Sequence, residues 1–266
     1  MKQFDRLAFR SCLGNPILES TRSWGVERRY CLTQDRLSAC KEQLADTLYF
    51  HHSSFDYADE IARLGFVQTA SVLRQYRSGL PDSHTTRMAH LAEVMGVEYG
   101  RLVCGFNTTP VYPKRLNPNP DQAMKGADVI GIACAASNVA LLLGEAKCYR
   151  EFSRSSVEES YTHLANMHKQ DIRKLLAFWK EALSLQRQGS SGTAEASMAC
   201  LDRLYYRQLR ETRSFLALII NEGSPRDPFQ AFDQLATSNP LPNLLAVHIQ
   251  IPNLIDSLQV IFETHS

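Results

Sequence analysis

The chain has 266 residues, 44% hydrophobic and 21% charged, with a formal net charge of +1 at pH 7. This is the composition of a globular protein of one large domain or two small ones. A charge so near zero excludes a global field that would by itself attract nucleic acid, so any basic surface has to be local.

The most apolar runs, VALLLGEA and FLALIINEG, fall far short of the roughly 20 residues that a membrane helix needs, so no membrane association is expected. The opening residues, MKQFDRLAFRSCLGNP, lack the apolar stretch and small-residue cleavage pattern of a secretory signal. Seven cysteines (Cys12, Cys31, Cys40, Cys104, Cys134, Cys148 and Cys200) form an odd set without a C-x-x-C pair. They read as reduced thiols, several in apolar segments, of a cytoplasmic protein.

Along the chain, RLAFRSCL and VERRYCL read as possible short strands within residues 1–32. Leu37, Cys40, Leu44 and Leu48 recur at helical spacing and predict a helix over 33–52, with Thr33 as its cap. SFDYADEIARLGF and VQTASVLRQYRSGLP predict two short helices, stopped by Gly65 and by Gly79 with Pro81. SHTTRMAHLAEVMGVEYGRLVCG predicts a longer helix with Met88, Leu91, Val94, Met95 and Leu102 on one broad face. The proline-rich TTPVYPKRLNPNPDQAMKG admits one edge strand, around 111–116.

Two strands follow, 127–135 and 139–148, joined as a hairpin at Ser137-Asn138. A long helix capped by Ser155 or Ser156 comes next, then a GSSGT loop and a helix over AEASMACLDRLYYRQLRE. The last quarter alternates: the buried strand SFLALIIN, the short helix PRDPFQAFDQLA, the strand LPNLLAVHIQI and the closing helix NLIDSLQVIFET. The pattern predicts an α/β fold with a mixed sheet flanked by helices over 83–266, preceded by a smaller, mostly helical region over 1–82.

The stretch KGADVIGIACAASNVALLLGEAKCYREFS places Asp128, Glu145 and Lys147 at the ends of two oily strands, where unpaired charge is costly. A hairpin turning near 137 sets Asp128 opposite residue 146, beside Glu145 and Lys147, and these two leave the same face of their strand. Two carboxylates so close repel unless a cation lies between them, and Mg²⁺ (or Mn²⁺) takes oxygen ligands with only one or two protein carboxylates. Such an ion activates water and stabilises charge on a phosphodiester. Lys147 then orients or deprotonates that water, or stabilises the phosphorane, and desolvated beside the metal it would have a depressed pKa. Glu93, set among Ala92, Val94 and Met95, is the expected accessory acid. The bland alternative is an Asp at a strand entry and a surface ion pair worth little.

GADVIGI…VALLLGEAK resembles the signature of the PD-(D/E)XK nuclease superfamily, and Asp128, Glu145 and Lys147 match its metal-dependent phosphodiesterase site residue by residue. TRMAHLAEVMGVEY, MKGADVIGI and GEAKCYREFS are similar to the HamA-like family, the nuclease subunit of Hachiman-type anti-phage defence. The resemblance implies a restriction-endonuclease-like domain that cuts DNA with Mg²⁺ and works with a helicase subunit, HamB-like. Residues 1–82 would then serve partner docking. Two rival readings remain, a catalytically silent DNA-binding or scaffolding subunit and a stand-alone restriction-type endonuclease.

Lys114, Arg115, Lys125 and Arg150, with Arg154, flank the expected site and read either as solvated surface or as phosphate contacts. His163 and His168 are five apart on a helix, whereas metal-binding pairs prefer i, i+4, so no metal role is expected of them. No Gly-rich phosphate loop is present, so ATP binding is not expected.

Overall fold

The computed structural model describes residues 8–52, 83–108, 127–135, 138–171, 199–204, 206, 210–223 and 225–263. The elements in chain order are α1 (Ala8–Leu13), β1 (Leu18–Arg22), β2 (Gly25–Cys31), α2 (Gln34–His52), α3 (His84–Leu102), β3 (Asn107–Thr108), β4 (Val129–Cys134), β5 (Asn138–Cys148), α4 (Arg154–Lys169), β6 (Arg210–Asn221), α5 (Gln230–Ser238), β7 (Leu244–Gln250) and α6 (Leu254–Glu263). Seven strands form one mixed sheet in the order β1-β2-β7-β6-β5-β4-β3. The middle four, β2, β7, β6 and β5, run parallel, and β1, β4 and β3 join antiparallel at the two sides. The expected α/β architecture is what the chain adopts.

A strand packed on both faces reads as a continuous apolar run, and β6 shows why. Leu216, Leu218 and Ile220 enter a core with α2, α3 and α6, while Phe215, Ala217 and Ile219 face Val157, Tyr161 and Leu164 of α4 and Phe232 of α5. A third, smaller cluster joins Cys200, Leu201 and Leu204 to Ile132, Val139 and Leu141.

Several details differ from the sequence expectation. Of RLAFRSCL, Ala8–Leu13 form the helix α1 rather than a strand, because Cys12 and Leu13 bury against Leu37 and Leu44 of α2. VERRYCL is the strand β2, but it lies inside the sheet, paired with β7. Residues 8–52 therefore share both sheet and core with the rest, and β1 adds a strand that the sequence did not suggest. Helix α4 is capped by Ser153, whose hydroxyl accepts from Ser156 N at 3.3 Å, and it ends at Lys169. Strand β6 begins at Arg210, inside the stretch expected to be helical.

Four cysteines expected as free thiols pair as disulfides, Cys12 with Cys40 and Cys134 with Cys200, since α1 lies on α2 and the end of β4 lies on residues 199–204. Cys31, Cys104 and Cys148 are free. The two short helices over 54–79, the boundary near 82 and the edge strand over 111–116 lie outside the described residues, while β3 ends on Thr108, the first residue of that proline-rich stretch. Among the described residues no helix is long and apolar enough to cross a membrane.

Candidate active site at the β4–β5 hairpin

Strands β4 and β5 pair with Val129 opposite Gly144. The register is one residue from that expected, so the position opposite Asp128 is Glu145 rather than residue 146. Asp128 lies just beyond the ladder, and its Oδ2 accepts a hydrogen bond from Ala146 N at 2.9 Å. The carboxylate thereby replaces the backbone partner that β4 no longer supplies, at the peptide between Glu145 and Lys147.

Glu145 is only 2% exposed. Lys147 Nζ lies 2.6 Å from its Oε1, and His163 Nδ1, from α4, lies 2.7 Å from its Oε2. The imidazole contact is close but poorly aligned, which leaves Oε2 buried without a well-directed donor. Glu93 on α3 approaches from the opposite layer and is near enough to Asp128 to act on it electrostatically.

That approach depends on Gly96, one turn after Glu93. A Cβ there would stand 2.7 Å from Val129 Cγ2 and 3.3 Å from Ala146 Cβ. Only a glycine lets α3 lie this close to the hairpin without displacement.

The electrostatics follow from this crowding. Burial, then the Glu145 and Glu93 carboxylates, push Asp128 up to about 8, against the Ala146 hydrogen bond and Lys147. Burial also pushes Glu145 up, but His163 and Lys147 outweigh it and the net shift is downward. Burial lowers Lys147, yet its ion pair with Glu145 wins and the pKa rises. Beside two carboxylates the ammonium form of Lys147 is favoured, whereas the expected depression was that of a lysine beside a bound metal. The contact with Glu145 raises His163 as well, against burial.

A carboxyl whose pKa is pushed up by burial and by its acidic neighbours, and a buried carboxylate oxygen without a directed donor, both suit a hard divalent cation. Asp128 and Glu145 are the oxygens that would hold it, with Glu93 beside them. Among the described residues no group of three His, Cys, Asp or Glu side chains forms a ready ligand cage.

Of the other residues singled out in the sequence, Arg150 is 68% exposed just beyond β5, with Nε 3.7 Å from Glu222 Oε2. Arg154 pairs with Glu158 at 2.9 Å. Lys114, Arg115 and Lys125 lie outside the described residues. His168 turns away from the site and its ring packs edge-on against Phe215, 5.4 Å between centroids.

Sequence reasoning missed His163, because it was weighed only as half of a His–His pair. The available signal was geometric. A helix entered after β5 runs back over the sheet, and His163 lies about 14 Å along α4, comparable to the roughly 10 Å from the end of β5 back to Glu145.

No curated protein matches the chain. The model of the HamA family matches residues 16–262, a span that takes in β1 through α6 and the whole constellation just described. The chain therefore belongs to the HamA family, which ties it to Hachiman-type anti-phage defence.

Proposed function

We propose that this chain is a Mg²⁺-dependent deoxyribonuclease of the PD-(D/E)XK kind, the effector subunit of a defence system that works with a helicase. The observation that carries the reading is the Glu145–Lys147 pair at 2.6 Å, with Asp128 bonded to the peptide between them. Asp128 and Glu145 would hold Mg²⁺ or Mn²⁺, with Glu93 as accessory acid. The bound ion supplies an acidified water and charge neutralisation at the scissile phosphate.

Lys147 keeps its proton beside Glu145, so its role is to stabilise negative charge growing on the phosphorus oxygens rather than to act as the base. Arg150, and the basic residues Lys114, Arg115 and Lys125, would contact backbone phosphates and position DNA without reading its sequence. Residues 1–82 are the proposed docking region for the helicase.

The test is to incubate the purified protein with plasmid and linear DNA, with Mg²⁺ or EDTA, alone and with the proposed helicase subunit. Metal-dependent nicks or smears are expected, abolished by Glu145→Ala and by Lys147→Ala. Discrete fragments would instead mark a restriction-type enzyme. No cutting even with the helicase present would leave a scaffolding subunit, and normal cutting by both variants would put the active site elsewhere.

A further inference from the structure

Glu145 is gripped from two elements: Lys147, two residues along its own strand, holds Oε1 at 2.6 Å, and His163, from α4, reaches Oε2 at 2.7 Å. The His163 side chain is 45% exposed, on the flank of α4 rather than on its buried stripe of Val157, Tyr161 and Leu164. Packing therefore does not force the ring onto a carboxylate. The helix is anchored independently, by those buried residues and by Tyr161 Oη, which donates to Asn239 O at 2.7 Å. Charge, rather than packing, is what brings the His163 ring to Glu145 Oε2.

We propose that His163 is a positioning residue of this site: reaching in from α4, it fixes the Glu145 carboxylate in the rotamer that offers its oxygens to a divalent cation. Lys147 alone restrains one oxygen and leaves the carboxylate free to swing about its last torsion, which is broad for a Glu side chain. A second contact from a separate, firmly packed element removes that freedom. Partners of this kind around ligating side chains commonly govern metal affinity by 10-fold or more.

The inference rests on Glu145 being a cation ligand, and the experiment separates the two ideas. Mn²⁺ binding is measured by electron paramagnetic resonance on the full chain without DNA, for the unaltered protein, His163→Ala, His163→Gln and Glu145→Ala. His163→Ala should bind Mn²⁺ about 10-fold more weakly. His163→Gln, which keeps a donor, should recover most of the loss, with thermal unfolding of both variants close to the parent.

In DNA cleavage, the Mg²⁺ concentration for half-maximal rate should rise in His163→Ala while the rate at saturating Mg²⁺ is largely kept. Equal or tighter Mn²⁺ binding by His163→Ala, with Glu145→Ala binding none, overturns the role of His163 and leaves the site intact. Unchanged binding by Glu145→Ala overturns the site itself. Weakening by His163→Ala that His163→Gln does not relieve also overturns the positioning role.

Discussion

Asp128 accepts a hydrogen bond from Ala146 N at 2.9 Å, so one carboxylate both ends the β4–β5 ladder and lies beside Glu145, where the proposed cation would be held. The two jobs use different properties of the side chain. Ending the ladder needs an oxygen, while holding a cation needs a charge.

Substitutions at this position should separate those jobs. Asp128→Asn keeps an acceptor for Ala146 N and removes a charge that burial disfavours. In EDTA it should unfold at the same temperature as the parent or higher, yet lose DNA cleavage. Asp128→Ala leaves the amide without its partner and should cost about 1–2 kcal/mol in chemical denaturation, as well as activity. Cleavage by Asp128→Asn at the parent's rate would remove Asp128 from the site.

The raised pKa of Asp128 makes the metal-free protein sensitive to alkaline pH. Its folded-state pKa of about 8 lies above the unfolded value near 3.9, so the folded protein holds the extra proton between the two. The resulting stability is fully present below about pH 4 and is lost as pH rises towards 8. Glu145, shifted downward, acts in the opposite sense and only at pH below its ordinary range of about 4.3. Melting in EDTA should therefore show a decline from pH 6 to 8.5 that Asp128→Asn makes shallower, the remainder coming from His163, whose pKa is also raised. Added Mg²⁺ should raise the melting temperature more at pH 8.5 than at pH 6, because the cation binds the deprotonated carboxyl. An equal effect of Mg²⁺ at both pH values would contradict this.

Gly96→Ala should disturb the site from behind. The new methyl would meet Val129 Cγ2 at 2.7 Å, and overpacking of this kind costs about 1–3 kcal/mol, offset by roughly 1 kcal/mol of helix propensity. We expect a net loss of about 0–2 kcal/mol and a larger Mg²⁺ requirement for cleavage, since α3 carries Glu93. A variant more stable than the parent with unchanged Mg²⁺ dependence would show that the helix has room to spare.

Acid sensitivity should come from His248 on β7. It is buried, with Nε2 2.5 Å from Asn221 Oδ1, and burial, then the charge of Arg29, lower its pKa to about 4. Folded below and unfolded near 6.5, it takes up a proton on unfolding between those values, so stability is lost as pH falls from about 6.5 to 4. The loss is up to about 3 kcal/mol. Asp128 trends the other way in this range, so the quantity to measure is the difference between parent and His248→Gln. That difference should vary with pH only below about 6.5; a constant difference would rule out His248 as the source.

The sequence made some of this legible and hid the rest for definite reasons. The hairpin, β6, β7 and α3 could be read because each satisfies one strong pattern: continuous apolar runs for parallel strands buried on both faces, and a broad helical face for α3. The hairpin register was missed by one residue because a turn near 137 does not say which backbone pair closes it, and Asp128 itself replaces a ladder partner. RLAFRSCL is too short for its apolar spacing to separate helix from strand; only the presence of α2 beneath it decides. Glu145 with Lys147 is local and visible in sequence. His163 depends on how a later helix lies across β5, which spacing along the chain does not state.

The pairing of β2 with β7, which sets Arg29 beside His248, bears on how this molecule is made. A growing chain cannot close the sheet until the residues near 250 have left the ribosome, because β7 is the wedge between β2 and β6. Until then both neighbours show open hydrogen-bonding edges, which invite association with other chains. Contacts so distant in sequence also form slowly. Synthesis itself thus delays the finished sheet until β7 has emerged, and a product cut short before β7 would be prone to clump rather than to fold.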